Sequence, residues 1–110
     1  MTVSTMNSNR DFARVYRFAK SYVSPGLVTY VLKNKKNNLQ VGITTSKKVG
    51  KAVKRNRCRR IIRAAYASLL SDMRPGYDIV FVARTKTAYL KSTDILSYMK
   101  KHLKEAGVID

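Results

Sequence analysis

Residues Lys47–Arg63 read KKVGKAVKRNRCRRIIR, and nine of these seventeen residues are Lys or Arg with no acid among them. The stretch carries a hydrophobic pattern as well as charge. Cys58, Ile61, Ile62, Ala65 and Leu69 recur at i, i+3, i+4, i+7 and i+11, the stripe of an amphipathic helix. At about 100° per residue, Arg55, Asn56, Arg59, Arg60 and Arg63 fall on the arc that the stripe leaves free, with Arg57 near the border. Gly50 argues against helix before it, so the pattern predicts a helix from near Ala52 to about Leu70. One helix thus carries a core face and a basic face.

The flanking segments place this helix in a sheet. Before it, Leu39–Ser46 alternates: Leu39, Val41 and Ile43 point one way, and Gln40, Gly42, Thr44 and Ser46 present a small, polar, open face. After it, Arg74-Pro75-Gly76 is a turn and Tyr77–Arg84 is a strand. That strand is apolar on both faces, which predicts a central position beside Leu39–Ser46. Leu27–Lys33 is rich in β-branched and aromatic residues and reads as another strand. The polar run Asn34–Asn38 reads as a hairpin loop joining it to Leu39–Ser46. Ser21–Val23 can add a short edge strand ahead of the Ser24-Pro25-Gly26 turn.

Helices close both ends. Phe12, Val15, Tyr16 and Ala19 follow helical spacing, with Asn7 or Ser8 as cap and Asp11 in the first turn. Residues 1–7 read as loose. Residues 85–91 read as a loop, Ser92 or Thr93 as the next cap, and Ile95, Leu96, Met99 and Leu103 as the apolar side of a last helix stopped by Gly107. The whole predicts one domain over residues 1–110. Its class is α+β: a two-layer α/β sandwich, in the order α-β-β-(β)-α-β-α, around a central mixed sheet.

Charge selects among functions. The net charge of +17 destabilises a compact state by self-repulsion and calls for a polyanionic partner. Between Phe12 and Ser71 there are fifteen Lys or Arg and no Asp or Glu. A merely solvated surface would mix signs. Arg55, Arg59 and Arg63 form a row about 12 Å long, suited to the phosphates of a nucleic-acid backbone. A helix-turn-helix reader would need a second helix just before the basic one, where the sequence has a strand. Phe12, Tyr16 and Tyr30 offer rings for stacking, which favours RNA over DNA. By default Phe12 and Tyr16 would be core residues.

Protein-borne catalysis has little support. His102 is the only histidine and Cys58 the only cysteine, and neither has a partner at zinc-ligand spacing. No phosphate-loop or dinucleotide motif is present. His102, within Lys-Lys-His-Leu-Lys, reads as solvated, and Cys58 on the apolar stripe as a small core residue. One cysteine, no membrane-length apolar run and no secretory segment in MTVSTMNSNRDF predict a cytoplasmic protein. A general RNA-binding or ribosomal-protein-like module is the alternative that composition leaves open.

Thr44–Tyr66, TTSKKVGKAVKRNRCRRIIRAAY, closely resembles the signature of the bacterial ribonuclease P protein subunit. That signature is a Ser-Lys-Lys turn, then Gly, Ala-Val, Arg-Asn-Arg and a basic amphipathic helix. Asp11-Phe12 with Val15-Tyr16 looks like the family's first-helix motif, and Tyr77–Arg84 like its last strand. The resemblance implies a ribosomal protein S5 domain 2-like fold with a left-handed strand–helix–strand crossover, a hand that general packing physics disfavours. It implies a small basic protein that joins a catalytic RNA, ribonuclease P RNA, to cleave precursor tRNA and leave the mature 5′ end. The RNA would hold Mg2+ and perform the hydrolysis, with no catalytic or metal-ligating side chain in the protein.

By position, the resemblance puts Phe12, Tyr16 and Tyr30 in a cleft for the single-stranded 5′ leader. Lys47, Lys48, Lys51, Arg55, Asn56, Arg57, Arg59, Arg60 and Arg63 would face the catalytic RNA, with Lys47 and Lys48 near the junction of the two surfaces. The partners implied are that RNA and precursor tRNA, in a 1:1 complex with a monomeric protein and without DNA or membrane. Two positions depart from the pattern. The tail MTVSTMNSN lacks a basic cluster common in the family, and Tyr16 stands where a second Phe is usual.

Counterion release makes the role of charge measurable. With about six phosphates contacted, affinity for the RNA partner should fall about a thousandfold between about 50 and 200 mM salt. A flat response in a filter-binding titration would rule out the basic face as the main contact.

Overall fold

The strand β5, Tyr77–Ala83, has apolar side chains on both faces, and Ile79, Val80 and Phe81 are completely buried. A strand of that kind is stable only with neighbours on both edges and cover on both faces. The computed structural model, which describes residues 2–110, gives it both. The other strands are β1 (Thr2–Thr5), β2 (Lys20–Ser24), β3 (Leu27–Lys33) and β4 (Asn38–Thr44). The helices are α1 (Asn9–Phe18), α2 (Ala52–Leu69) and α3 (Ser92–Glu105). The sheet order is β1-β4-β5-β3-β2. β5 runs parallel to β4 and antiparallel to β3, with Gly42 and Tyr30 both opposite Val80.

The sheet is mixed and the class is α+β, as the sequence predicts, but β3 and β4 are not a hairpin. β5 is inserted between them. The polar run after β3 bridges the start of β5 instead: the Asn34 amide donates to the Gly76 carbonyl at 2.8 Å, and the Gly76 amide donates to the Asn38 carbonyl at 2.7 Å. Those two bonds connect the loop and the Arg74-Pro75-Gly76 turn, so each fixes the other. Residues 2–5, expected to be loose, form β1 and pair in parallel with β4, Val3 opposite Leu39. The Met6 amide continues the ladder to the Val41 carbonyl at 2.9 Å. The edge strand expected at Ser21–Val23 is β2, paired antiparallel to β3.

The helices divide between the two faces. α2 and α3 pack on the face formed by Leu27, Val31, Leu39, Val41, Ile79 and Phe81, and this is the main core. From α2 it takes Cys58, Ile61, Ile62, Ala65 and Leu69, the stripe read from the sequence. α1 adds a third, smaller layer on the opposite face, where Val15 packs with Val80, Met6, Tyr30 and Leu32. The α+β class and the central mixed sheet are thus as the sequence predicts, with α2 and α3 on one face and α1 on the other.

Smaller differences have local causes. The cap of α3 is Lys91, one residue before the expected Ser92, and its amide donates to Asp94 at 3.0 Å. Residues Thr85–Tyr89 form a short 3-10 helix rather than open loop. Gly107, at φ 81°, ends α3 as expected; the Val108 amide reaches back to Leu103 at 2.9 Å and turns Val108 and Ile109 into the core.

His102 is the clearest correction. It is 2% exposed, not solvated. It sits seven residues after Ile95 and three after Met99, on the apolar side of α3, and the lysines around it disguise that. Its ring lies 2.6 Å from the Ser24 hydroxyl and 2.8 Å from that of Thr29. A neutral imidazole has one donor and one acceptor, so one hydroxyl donates to the ring and the other accepts from it. Burial pushes the His102 pKa down; Glu105 pulls weakly the other way and Lys101 adds to the depression.

The unfolded chain takes up the proton near pH 6.5 and the folded chain only at lower pH. This stability is complete above about 6.5 and declines as pH falls toward the depressed value. Urea titrations between about pH 7.5 and 5.5 should show that decline, and His102→Gln should flatten it. An equal slope in the variant would assign the effect elsewhere.

Candidate nucleic-acid interface

Two surfaces, on opposite faces of the sheet, gather the residues singled out in the sequence. The first is the outer side of α2. Burial of the Cys58–Leu69 stripe forces the rest of the helix outward, so the basic arc is set by the core rather than by local charge. Asn56, Arg57, Arg60 and Arg63 are exposed, and Arg55 and Arg59 are half-buried. Lys47 and Lys48 are exposed on a 3-10 turn (Lys47–Val49) and Lys51 is exposed at the cap of α2. Gly50, at φ 139°, makes the bend between turn and helix, a conformation that favours glycine.

The arginines occupy both flanks of the buried stripe. Arg59 and Arg63 line a small cavity of about 140 Å³ with Met6, Val41, Ile43 and Tyr66, on the β1–β4 side. Arg57 and Arg60 lie beside Ser92 on the α3 side. Arg57 also has a structural bond: its Nε donates to the Ala88 carbonyl at 2.9 Å, tying α2 to the 3-10 helix after β5. Arg59 donates to the Asn56 side-chain oxygen at 3.4 Å. Among the described residues no salt bridge involves an α2 arginine. Cys58 is buried beneath the arc, where desolvation pushes its thiol pKa up despite Arg57 and Arg59. It is a core residue.

The second surface lies between α1 and the sheet. Phe12, Tyr16 and Tyr30 come together there. The Phe12 and Tyr16 rings stack at 6.4 Å, and Tyr16 meets Tyr30 edge-on at 5.0 Å. Tyr16 is 41% exposed rather than core, and its hydroxyl lies 3.0 Å from that of Thr44. Gly42 allows this approach. A Cβ there would lie 2.6 Å from the edge of the Phe12 ring. The open polar face predicted for β4 is therefore the floor of an aromatic cleft.

Sequence reasoning missed three participants. Thr44 and Gly42 were legible only as small residues on an open face. Asp78 had a clearer signal, a lone acid in an otherwise apolar strand. It is 2% exposed, paired with Arg14 of α1 and bonded by the Asn34 side-chain amide at 2.8 Å. A third exposed feature is Tyr89, whose hydroxyl accepts from Lys54 at 2.6 Å.

The two surfaces differ in the groups they present. The arc offers guanidinium and ammonium donors to phosphate. The cleft offers ring faces and hydroxyls to unpaired bases. Among the described residues no group of three His, Cys, Asp or Glu is placed to hold a metal ion.

The chain is similar to known proteins of one family. The family model described as Ribonuclease P matches residues 2–107. The ribonuclease P protein component of Clostridioides difficile (strain 630) is 42% identical over 104 residues, which cover 94% of this chain and 91% of that protein. That of Clostridium botulinum (strain Loch Maree) is 42% identical over 109 residues, 98% of each chain. Among solved structures, the Staphylococcus aureus RNase P protein superposes with a TM-score of 0.85 at 31% identity, covering 96% of this chain and 97% of that one. The RNase P protein from Thermotoga maritima gives 0.81 at 25% identity, covering 92% and 96%.

The close approach at Gly42 yields a stability test. Gly42→Ala must push the Phe12 ring away or shift β4, and overpacking of this kind costs about 1–3 kcal/mol. Urea denaturation should show the loss. An unchanged midpoint would mean that the ring is free to move.

Proposed function

The chain belongs to the ribonuclease P protein family, and we propose that its two surfaces divide the labour of the holoenzyme between them. It is the protein component of ribonuclease P, a subunit of an endoribonuclease of tRNA processing, and its partners are the ribonuclease P RNA and precursor tRNA. In our reading the α2 arc (Arg55, Asn56, Arg57, Arg59, Arg60 and Arg63, with Lys47, Lys48 and Lys51) docks on the catalytic RNA. Phe12, Tyr16 and Tyr30 hold the single-stranded 5′ leader. One protein joins one RNA, in the cytoplasm, where a lone buried thiol is at home.

The observation that carries this division is the clustering of three rings, from two elements well separated in sequence, on the face opposite the arginines. A surface for bases and a surface for phosphates thereby lie on opposite sides of the sheet, with α2 between the sheet and the arc. The arc supplies charge without sequence reading, as suits a structured RNA partner. The cleft suits a segment whose bases are unpaired.

Hydrolysis in this reading belongs to the RNA subunit, whose bound Mg2+ supplies the metal-assisted chemistry. The chain contributes positioning: a leader held in the cleft places the scissile phosphate relative to an RNA held by α2. It also screens the charge repulsion between substrate and catalytic RNA, which lowers the Mg2+ needed.

The test uses the reconstituted holoenzyme. Adding this chain to a bacterial ribonuclease P RNA should restore precursor-tRNA cleavage at low magnesium. Tyr30→Ala should weaken precursor binding by about 1–3 kcal/mol, the range for removal of one base stack, and leave mature tRNA unaffected. Equal weakening on both substrates would return Tyr30 to a purely structural role. Absence of stimulation with several such RNAs would leave a general RNA-binding module as the better reading.

A further inference from the structure

A basin of about 520 Å³ lies at the Asn38 end of the sheet, on the α1 face, and no part of the function above uses it. Its cations are Arg10 and Arg14 from α1, Lys33 at the end of β3, and Lys35 and Lys36 from the loop that follows. Gln40 of β4 forms part of its floor. Against five cations stand two carboxylates. Asp11 lies 3.9 Å from Arg14. Asp78 is buried, paired with Arg14 and bonded by Asn34.

Asp78 does not make the basin acidic. Both its oxygens are engaged, and a buried carboxylate of this kind fixes its cation in place. It holds Arg14 against the sheet, so Asp78 is a positioning residue. Asn34 has a second role: its side-chain oxygen accepts from the Lys36 amide at 3.0 Å, shaping the loop that carries Lys35 and Lys36. Arg10, Lys33, Lys35 and Lys36 have no ion-pair partner among the described residues.

The register joins this basin to the aromatic cleft. Leu32, Asp78 and Gln40 form one row across β3, β5 and β4, and Tyr30, Val80 and Gly42 form the next. The rows are two residues apart, about 7 Å at strand rise. A single strand of RNA that crosses Tyr30 and Phe12 along the direction of β4 would pass from the Thr44 end, near Lys47 and Lys48, onto this group of cations.

We propose that the basin formed by Arg10, Arg14, Lys33, Lys35, Lys36 and Gln40 is a phosphate-binding site for the leader backbone upstream of the nucleotides stacked in the cleft. It rests on the reading that the cleft holds the leader, and it adds a length requirement to it. Leaders that end within the cleft do not reach the basin. Longer leaders lay their phosphates on its cations, an electrostatic attraction that is independent of base identity. The catalytic RNA is the other source of the same phosphodiester chemistry, and the test separates the two.

The test is precursor-tRNA affinity of the reconstituted holoenzyme, with a short leader that stops at the cleft and a long one that passes it. Arg10→Gln/Lys35→Gln/Lys36→Gln removes three exposed cations without touching the Asp78 network. The variant should bind the long-leader precursor about tenfold more weakly and the short-leader precursor and mature tRNA within about twofold of the parent. The dependence of log affinity on log salt should become shallower for the long leader alone, by about 0.7 for each phosphate that is no longer neutralised. Equal weakening on short and long leaders, or weaker assembly with the catalytic RNA, would assign the basin to that RNA and overturn the proposal. No change on the long leader would overturn it as well. Tyr30→Ala, measured on the short leader, reports the cleft separately, so failure of the cleft reading and failure of the basin are distinguishable.

Discussion

β5 can be buried on both faces only if strands flank it and helices cover it, and most of the architecture follows from that demand. Its parallel pairing with β4 cannot be made by a tight turn. The chain must leave β4, cross the sheet and return, and α2 is that crossing. The Cys58–Leu69 stripe then fills the face that β5 exposes through Ile79 and Phe81. Once that stripe is inward, the arginines between its members have only solvent or a partner to face. The basic arc is thus an outcome of packing, and the backbone that carries it is fixed by the core beneath it. Val80, on the other face, is covered by the smaller α1 layer, and the incomplete cover there leaves the cleft.

The chain tolerates its charge by keeping it spread. With 23 basic and 6 acidic residues, pairing cannot neutralise the surface, and the three salt bridges among the described residues all draw on Asp11, Asp78 or Asp110. The α2 arginines have hydrogen bonds to Ala88 and Asn56 but no carboxylate. Repulsion of this kind weakens the folded state and is relieved when phosphates arrive, so RNA binding and folding stability are coupled.

The elements whose formation is local were legible in the sequence: the span of α2, its buried stripe, β3 to the residue, and the central place of β5. What failed depended on distant partners. Asn34–Asn38 has the composition of a hairpin loop, and local turn chemistry alone gives a hairpin. The pairing is decided by β5, much later in the chain, and the Gly76 just before it bonds to both ends of that loop. Residues 2–5 carry a weak strand signal because a four-residue edge strand owes its order to β4. His102 lies on the apolar side of its helix, but surrounding lysines and the absence of any visible partner concealed it; Ser24 and Thr29 are 78 and 73 residues away. The candidate site divides in the same way. The arginine arc is a property of one helix and could be read directly. The cleft needs Phe12, Tyr16, Tyr30, Gly42 and Thr44 from three elements, and spacing along the chain cannot show that they meet.

The two surfaces lie on opposite sides of one sheet, yet the chain connects them directly. β4 contributes Gly42 and Thr44 to the floor of the cleft, then passes within a few residues through Lys47 and Lys48 to the start of α2. A displacement of α2 relative to the sheet would break the Cys58–Leu69 packing, and a displacement of β4 would break its ladders to β1 and β5. Neither costs little, so a leader in the cleft and an RNA on the arc would be held at a separation fixed by the core. Close-packed layers of this kind deform little. In the proposed division of labour, a small protein built this way would accelerate the reaction by removing the freedom of two RNAs to drift relative to each other. On that reading the small, close-packed residues under the cleft set position, and the long, charged ones on the arc supply affinity.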